Sequence, residues 1–427
     1  MTNIAFAKIG KSIKFKTPFS PHGGDNEAPA VVRAIANNNP DKKIYIIGRS
    51  DFDKLTEMER VQMFPYDNVV NVWSSSKTKT YTNKHDYNDP FFQHIGNYFK
   101  ENNIKIDFGV MMVGQVGNVV IPGKIKQIRN PDDIASIIDM SLNYSAPIAI
   151  WLNEYKVPYV EVVNDPRYTM AQARDIFHLP SVSLGQFNWT YEFNSIKSYE
   201  DQERQITPME SVYAGMEKAF LVGRKRQDVS KLPKSRTFCV VLNEGEPSRY
   251  NMLNEWVLSN MDDVEVYGRW EHPKAQPEVD SRFRGSVYLE DAQKIMSETK
   301  YTLIIPIREG WVTSKYIEMI HAGVVPFLHP TYDMQGHIQL PKILRPASPE
   351  AMFKTIEKLE STPGAREALL ELLSKSILSD DLYSGKCISD SILEAGHKQI
   401  GRDYASVDVS KFAVKRVASL DDFFLTK

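Results

Sequence analysis

One stretch of the chain constrains its fold most strongly: an apolar run, a polar loop, a short helical segment and a second apolar run. The run Tyr301–Ile307 (YTLIIPI) is typical of a strand buried in a parallel sheet. A helix is predicted from Thr313 to a stop at Gly323, since threonine is a favourable N-cap and glycine commonly follows a helix. Val325-Pro326 then opens a second strand. The sequence therefore predicts a strand–loop–helix–strand unit of an α/β sheet.

The predicted helix carries polar residues suited to a phosphorylated ligand. Ser314, Lys315 and Glu318 are spaced so that they share one helix face. The N–H groups and positive dipole end of a helix N-terminus suit a phosphate. About one turn (~5.4 Å) deeper, Glu318 is placed to accept hydrogen bonds from ribose hydroxyls. Diphosphate at the helix start and ribose on a carboxylate together predict a nucleotide-sugar site.

These residues resemble the donor-site motif of GT-B glycosyltransferases. The resemblance is carried by Glu309, Lys315, Glu318, Gly323 and Val325-Pro326. It implies an α/β fold of GT-B architecture, with two Rossmann-like domains facing a central cleft and the nucleotide-sugar held mainly by the second. It also implies an enzyme that transfers a sugar to a hydroxyl, with Glu309 near the transferred sugar. Many retaining members separate two glutamates by seven residues, whereas eight separate Glu309 and Glu318 here.

Length and composition narrow the class of protein. A chain of 427 residues is expected to form two or three domains. A formal net charge of −2 gives no overall field that would attract nucleic acid. Two cysteines are too few for a disulfide framework or a cysteine-based zinc site. Because the sequence shows neither a signal-peptide pattern nor a membrane-spanning apolar run, we expect a cytoplasmic protein (host cytoplasm if phage-encoded) without a membrane partner.

Alternation of short apolar runs with helical stretches predicts parallel βα units in both halves. Between the halves, Arg224–Lys234 is polar, basic and nearly free of apolar residues, which is typical of a linker. We therefore assign residues 1–226 to an N-terminal acceptor domain and 227–236 to the linker. Residues 237–400 form the predicted nucleotide-sugar domain. In GT-B proteins the C-terminal helices cross back onto the first domain, and the resemblance implies the same packing for a tail at 401–427.

The apolar runs of the first half predict its individual strands and helices. Predicted strands are Ile4–Ile9, Lys43–Gly48, Asn68–Trp73, Ile106–Met112, Val157–Val163 and Ala219–Gly223. Predicted helices are Ala28–Asn38 and Asp132–Leu142.

The loop between the first strand and the first helix contains Gly23, Gly24 and Asp25. Paired glycines allow the backbone to approach a ligand closely. In GT-B enzymes, a Gly-Gly turn at this place faces the donor's phosphates or sugar. The alternative is a simple turn in which Asp25 or Asn26 caps the helix. Asp25 and His22 are also candidate bases.

Two arginines are candidates to bind the diphosphate beside Lys315 and the N–H groups near Thr313 and Ser314. Arg249 follows the first strand of the second half, where GT-B enzymes commonly provide a cation, and its forked donors match phosphate oxygens. Arg269 ends the next strand, at the ligand-binding edge of such a sheet. The alternative for Arg249 is a solvated charge at a helix start.

Asp165 is the leading candidate for the base that takes the acceptor's proton. It follows the apolar strand Val157–Val163, and the carboxyl end of a parallel strand is where such a group meets a ligand. The alternative is that Asp165 only starts the turn before Pro166.

Asp51-Phe-Asp53 has the Asp-x-Asp form with which GT-A glycosyltransferases hold a divalent metal. Aspartate at this place also caps a helix well. We therefore predict no metal site. The resemblance to GT-B enzymes implies no tightly bound cofactor and a nucleotide-sugar co-substrate, for which a UDP-sugar is the expectation.

The acceptor is suggested by a looser resemblance. The chain is similar in composition to proteins of large bacteriophages, among which GT-B enzymes modify hydroxymethylated pyrimidines in DNA. Double-stranded DNA would require a basic surface and a flipped base, with Arg224–Lys234 and Lys124–Arg129 as candidate phosphate contacts. The alternatives are a cell-surface glycan or small-molecule acceptor, and a non-catalytic nucleotide- or sugar-binding protein.

Overall fold

The computed structural model describes most of the chain. The described residues are 2–9, 13–16, 23–48, 50–72, 90–113, 157–163, 182–185, 211–213, 216–226, 228–229, 232–245, 247–287, 289–307, 312–334, 336 and 338–400.

Seven parallel strands within these ranges form the first sheet. They are β1 (Asn3–Ile9), β2 (Lys43–Ile46), β3 (Val69–Asn71), β4 (Phe108–Val113), β5 (Tyr159–Val163), β6 (Val182–Gly185) and β7 (Ser211–Tyr213). Their order is β3-β2-β1-β4-β5-β6-β7, which is the Rossmann order with its reversal point between β1 and β4. Residues from Ile4 to Lys8 are all buried, as expected for a strand covered on both faces.

Three helices lie between the described strands of this half. They are α1 (Gly23–Asn38), α2 (Glu57–Met63) and α3 (Pro90–Glu101). Helix α1 buries Val31, Val32 and Ile35 completely. Helix α2 begins with a capping box, in which the Thr56 hydroxyl accepts from the Glu59 N–H at 3.2 Å and the Glu59 carboxylate accepts from the Thr56 N–H at 2.7 Å.

The second sheet repeats the same topology with five described strands. They are β8 (Arg236–Val241), β9 (Glu265–Tyr267), β10 (Phe283–Gly285), β11 (Thr299–Ile304) and β12 (Val325–Leu328). The order β10-β9-β8-β11-β12 places the reversal point between β8 and β11. Pro326 lies in β12 at the edge of the sheet, where a missing N–H is tolerated. The predicted α/β fold with two Rossmann-like domains is confirmed.

Seven helices accompany the second sheet or follow it in the described part of the chain. They are α4 (Ser248–Leu253, continued by a π-helical turn at Asn254–Leu258), α5 (Leu289–Ser297), α6 (Lys315–His321), α7 (Pro349–Ser361), α8 (Ala365–Ile377), α9 (Asp380–Ser384) and α10 (Lys386–Gln399). None of the described helices is long and apolar enough to cross a membrane.

Helix α6 ends as the sequence predicts. Gly323 has φ +71° and its N–H donates to the Ile320 carbonyl at 3.0 Å, while the Val324 N–H donates to the Met319 carbonyl at 2.9 Å. This pair of bonds is a Schellman motif. A Cβ at Gly323 would lie 2.5 Å from the Val229 carbonyl oxygen, so a positive φ and a close approach both require glycine here.

The start of α6 differs slightly from the prediction. The helix begins at Lys315 and its N-cap residue is Ser314, whose side chain makes no cap hydrogen bond. The Thr313 hydroxyl accepts from the Lys315 N–H at 3.4 Å. The Ser314 hydroxyl donates to Glu318 instead. Thr313, the predicted N-cap, therefore lies one residue before the N-cap position that Ser314 occupies.

Helix α10 packs against β4 and β5 of the first sheet. Gly396 makes the close approach possible, because a Cβ there would lie 2.3 Å from the Phe108 ring. The Asn39 side-chain amide also donates to the Ser389 hydroxyl at 2.8 Å. The final described helix therefore belongs with the first sheet, although it follows the second in sequence.

The chain divides into two compact units. One contains the first sheet and the segment from Ser384 onward, and the other contains residues Glu217–Tyr383 with the second sheet. The predicted tail 401–427 lies outside the described residues, and the assignment of 227–236 as a linker stays a prediction.

One predicted strand is wrong. Ala219–Gly223 falls in and just after a 3₁₀ helix at Met216–Leu221, and the strand of this region is β7, earlier in the chain. A short apolar run does not reveal by periodicity whether it is a strand or a buried helical turn. The predicted helix Asp132–Leu142 lies outside the described residues.

We predict that Gly323→Ala lowers the free energy of unfolding by about 2–4 kcal/mol, because it adds a steric collision to the strain of a positive φ. Gly364→Ala is the matched control: its φ is +76° and no atom lies within 4 Å of the added Cβ. That variant should lose only about 1–2 kcal/mol. Urea unfolding followed by tryptophan fluorescence measures both, and equal losses would contradict the steric argument.

Candidate functional site

The candidate site lies at the reversal point of the second sheet. In open parallel sheets, ligands bind beyond the carboxyl ends of the strands at this point, where the connections leave in opposite directions. The segments that follow β8 and β11 meet these conditions, and the second of them leads into α6. Two of the predicted donor-binding segments are thus brought to one edge of the same sheet.

Three predicted residues at the start of α6 form one polar cluster: the N-cap residue Ser314, and Lys315 and Glu318 within the helix. The Glu318 carboxylate accepts from the Lys315 ammonium at 2.6 Å through one oxygen and from the Ser314 hydroxyl at 2.6 Å through the other. The Glu318 side chain is only 11% exposed, whereas that of Lys315 is 29% exposed. The cation therefore lies toward solvent and the anion behind it.

The charge state of Glu318 follows from these neighbours. Burial by itself raises the pKa of this carboxyl, but the charge of Lys315, the hydrogen bonds from Lys315 and Ser314 and the charge of Arg224 together hold the pKa below its usual value. Glu318 is therefore ionised at neutral pH. An ionised carboxylate is an acceptor only, which suits it to ribose hydroxyl groups.

A tyrosine missed by the sequence analysis fixes the approach to α6. The Tyr332 side chain is fully buried; its hydroxyl donates to the Thr313 carbonyl at 2.7 Å and accepts from the Thr313 N–H at 2.9 Å. The Thr313 hydroxyl also lies 3.2 Å from it. Both polar groups of one backbone residue are thereby held just before the helix start.

Arg249 bridges the two strands at the reversal point. Its guanidinium donates to the Ile305 carbonyl at 2.6 and 3.2 Å, just after β11, and to the Asn243 carbonyl, just after β8. Burial lowers the pKa of Arg249 to about 10, so it remains charged at neutral pH. The alternative of a solvated charge does not describe this side chain, which is only 6% exposed. Its role in binding diphosphate stays a prediction.

Arg269 lies at the surface. Its guanidinium donates to Glu271 at 2.6 Å, and both side chains are more than two-thirds exposed. Its backbone N–H donates to the Asn243 side chain at 2.8 Å. The buried Glu244 carboxylate accepts from the N–H groups of Glu271 and His272 and so fixes the same loop. The predicted role of Arg269 toward the donor is not tested by this placement.

A second cluster lies near Glu318 and was also missed. The Arg224 guanidinium lies over the Phe220 ring at 3.7 Å from its centroid. The Phe220 ring meets His321 edge-on at 6.2 Å, and His321 Nδ1 lies 3.0 Å from the Tyr383 hydroxyl. Burial, and then the charge of Arg224, lowers the pKa of His321 to about 4. This histidine is therefore neutral at pH 7.

Lys234, near the C-terminal end of the predicted basic linker, stabilises two helix ends. The Lys234 ammonium donates to the Ser297 carbonyl at 2.7 Å and to the Ala322 carbonyl at 3.0 Å, at the C-terminal ends of α5 and α6. Carbonyl groups at helix C-termini favour a cation. Burial, followed by the charge of Arg366, lowers the pKa of Lys234 to about 7.

Several predicted site residues lie where their side chains are not described. Glu309, Asp165, His22 and Lys124–Arg129 are outside the described residues. The predicted loop placement of Gly23, Gly24 and Asp25 is wrong, and so is the alternative of an N-cap at Asp25 or Asn26. Helix α1 begins at Gly23, before the predicted start at Ala28, so these residues lie within the helix. The roles of these residues remain predictions.

Both carboxylates of the Asp51-Phe-Asp53 segment accept hydrogen bonds from other residues of the first half. Asp51 accepts from the Phe15 N–H at 2.6 Å, and Asp53 accepts from the Asn71 side chain at 2.7 Å. Among the described residues, no group of three histidine, cysteine, aspartate or glutamate side chains is arranged to hold a metal ion.

Solved structures provide the comparison. The chain resembles a mutant of T4 phage BGT in complex with UDP-glucose, with a TM-score of 0.56, 12% identity, and coverage of 94% of this chain and 100% of that one. It resembles the DNA-modifying enzyme β-glucosyltransferase with a TM-score of 0.52, 13% identity and the same coverage. A glycosyltransferase from Rickettsia africae ESF-5 gives a TM-score of 0.50 with 10% identity, again over 94% and 100%.

The chain has the GT-B fold. This confirms the fold expected from the residues of the α6 segment. No protein-family model matches the sequence. No curated protein sequence matches it either. The likeness therefore rests on the fold, including the strand order within each of the two Rossmann-type sheets.

We predict that Tyr332→Phe lowers the free energy of unfolding by about 1–2 kcal/mol, because it leaves the N–H and carbonyl of Thr313 without the hydroxyl that bonds both. Tyr66→Phe is the control, since Tyr66 is 53% exposed. Denaturant unfolding of the two variants gives the comparison. A Tyr332→Phe variant as stable as the control would show that this hydroxyl does not hold the segment before α6.

Proposed function

We propose that this protein is a glycosyltransferase that moves a sugar from a UDP-sugar to a hydroxyl acceptor. The observation that carries the proposal is the cluster of Ser314, Lys315 and Glu318 at the start of α6, beyond the carboxyl end of β11. Support comes from the GT-B fold, which it shares with a structure that contains UDP-glucose.

The cluster suggests which contacts change when the nucleotide-sugar binds. A diphosphate near Lys315 competes with Glu318 for the ammonium group, which is the more exposed member of the pair. Release from Lys315 frees a Glu318 oxygen to accept from a ribose hydroxyl. One ion pair of the unliganded protein is thus replaced by two contacts to the nucleotide.

The same cation assists the reaction. The bond between the sugar's anomeric carbon and the diphosphate oxygen breaks, and a bond to the acceptor oxygen forms. Negative charge therefore grows on the departing diphosphate, where Lys315 and the N–H groups near Ser314, after Thr313, stabilise it. Arg249 adds a fixed positive charge at the reversal point, and Arg269 is the further predicted cation. The acceptor's proton goes to a base, for which Asp165 and Asp25 are proposed, with Glu309 near the sugar.

We predict that Lys315→Met lowers the rate of UDP-sugar turnover about 100- to 1,000-fold, as expected when one stabilising contact to the developing charge is removed. Lys375→Met is the matched control, because Lys375 also pairs with a glutamate of its own helix at 2.7 Å but is 70% exposed. Labelled UDP-sugars and separation of released sugar and nucleotide measure the rate. Tight UDP binding without turnover in the unaltered protein would favour a non-catalytic binding protein.

For the acceptor, we propose hydroxymethylated pyrimidine in double-stranded phage DNA. The proposal is supported by the resemblance in fold to a DNA-modifying β-glucosyltransferase over 94% of the chain. Such an acceptor offers a primary hydroxyl that becomes reachable when the base is flipped out of the duplex. The protein would then act in the host cytoplasm.

The acceptor is tested by incubating the protein with UDP-sugars and DNA that contains hydroxymethylated cytosine, followed by mass spectrometry of the nucleosides. We expect a mass increase of one sugar residue on the modified base, formed about 100- to 1,000-fold more slowly by Lys315→Met. Unmodified DNA is the control and should stay unchanged. Sugar release to water with no transfer to DNA, across a panel of donors, would contradict the DNA acceptor and favour a glycan or small molecule.

A further inference from the structure

Tyr332 contacts the residue before α6 directly, although it lies in the segment that follows β12. We infer that Tyr332 is a positioning residue for sugar transfer, because it holds Thr313 and with it the start of the helix that carries the polar cluster. The inference rests on the proposed function and adds to it a residue from another segment of the fold. This role in the reaction is distinct from the contribution of the same hydroxyl to the free energy of unfolding.

The Tyr332 hydroxyl bonds both polar groups of the Thr313 backbone. It donates to the carbonyl at 2.7 Å and accepts from the N–H at 2.9 Å, and the Thr313 hydroxyl lies 3.2 Å from it. The Tyr332 side chain is fully buried, so leaving these groups without a partner would be costly. Thr313 is therefore held in one position relative to the segment after β12.

Direct contacts lead from Thr313 to the polar cluster. The Thr313 hydroxyl accepts from the Lys315 N–H at 3.4 Å. The Ser314 carbonyl accepts from the Glu318 N–H at 3.0 Å, and the Ser314 hydroxyl donates to the Glu318 carboxylate at 2.6 Å. The Lys315 ammonium donates to the other carboxylate oxygen at 2.6 Å. A displacement of Thr313 would therefore move the residues that bond both oxygens of Glu318.

Tyr332 is itself held by residues outside α6. Its N–H donates to the His329 carbonyl at 2.8 Å, and the His329 N–H donates at 3.0 Å to the carbonyl of Ile304, the last residue of β11. The next residue, Asp333, has a side chain that is only 1% exposed and pairs with Arg345. The tyrosine therefore has a position of its own, on which the start of α6 depends.

The other end of the connection between β11 and α6 is held as well. The Arg249 guanidinium, from α4, donates at 2.6 and 3.2 Å to the carbonyl of Ile305, immediately after β11. Arg249 and Tyr332 thus bond the first and last residues of this connection, Ile305 and Thr313. Groups that are fixed before the reaction do not have to reorganise when charge develops.

The effect of this positioning is expected to be greatest in the transition state. In the proposed function, Lys315 stabilises the charge that grows on the departing diphosphate, so its contact strengthens as the bond to the sugar breaks. A misplacement of about 1 Å can lower the rate about 100-fold. Binding of the intact donor is less sensitive, because it does not depend on that additional charge.

The test compares kcat and KM of the unaltered protein, Tyr332→Phe and Gly364→Ala. Labelled UDP-glucose, UDP-galactose and UDP-N-acetylglucosamine are tried first, and the donor with the fastest release of sugar is used, at a temperature at which circular dichroism shows each protein folded. We expect Tyr332→Phe to lower kcat about 10- to 100-fold, with KM for the donor changed less than about threefold.

Gly364→Ala is the matched control for lost stability. It adds the strain of a positive φ of +76° at the start of α8, with no atom within 4 Å of the added Cβ. Its kcat and KM should equal those of the unaltered protein. An equal fall of kcat in both variants would show that reduced stability explains the effect, and the inference would be overturned.

A double variant decides whether Tyr332 acts through the polar cluster. When Lys315→Met has already removed the cation, adding Tyr332→Phe should lower kcat less than about threefold further, because residues that act together are not additive. If Tyr332→Phe instead lowers kcat by the same factor with and without Lys315, the tyrosine acts independently of that cation and the inference is wrong.

The remaining outcomes separate the inference from the proposal on which it rests. Turnover by the unaltered protein with an unchanged kcat in Tyr332→Phe, whether or not KM rises, would overturn the role of Tyr332 and leave the proposed function standing. Absence of turnover by the unaltered protein with all three donors would overturn the proposed function, and the role of Tyr332 in transfer would fall with it.

Discussion

The balance of charge around one buried carboxylate governs the candidate site. Glu318 is almost enclosed, and an ionised carboxylate in such a place is costly unless it is paired and hydrogen-bonded. Lys315 and Ser314 satisfy one oxygen each, and Arg224 adds charge from a neighbouring segment. A ligand that draws Lys315 away must therefore offer Glu318 another hydrogen-bond donor, and in the proposed function the ribose hydroxyls of the nucleotide are those donors.

The topology of the second sheet explains why this carboxylate stands where it does. At the reversal point, the segments after β8 and β11 leave in different directions and open a space that side chains or a ligand must fill. Arg249 fills part of it by bonding the carbonyls of Asn243 and Ile305. Such a buried guanidinium both joins the two strand ends and places a fixed positive charge at the edge where an anion would bind.

The sequence predicts the α6 segment closely because its signals are local. An apolar run, a glycine suited to positive φ and residues spaced three or four apart depend on neighbours within one or two turns. The contributions of Tyr332 and Arg224 could not be predicted in this way. Tyr332 approaches Thr313 from beyond β12, and Arg224 comes from about 90 residues earlier in the chain. Only tertiary packing brings them to the site, and the sequence contains no spacing that reveals it.

The basic segment before the second sheet shows that a charge pattern does not reveal the tertiary contacts of its side chains. A run of cations suggests either a solvated linker or contacts to nucleic acid. In the structure, Lys234 bonds the last carbonyls of α5 and α6, and Arg224 stacks on Phe220. Val229 in the same segment lies so close to Gly323 that no side chain fits there. Lys234 and Arg224 thus stabilise the second unit itself, through helix carbonyls and an aromatic ring.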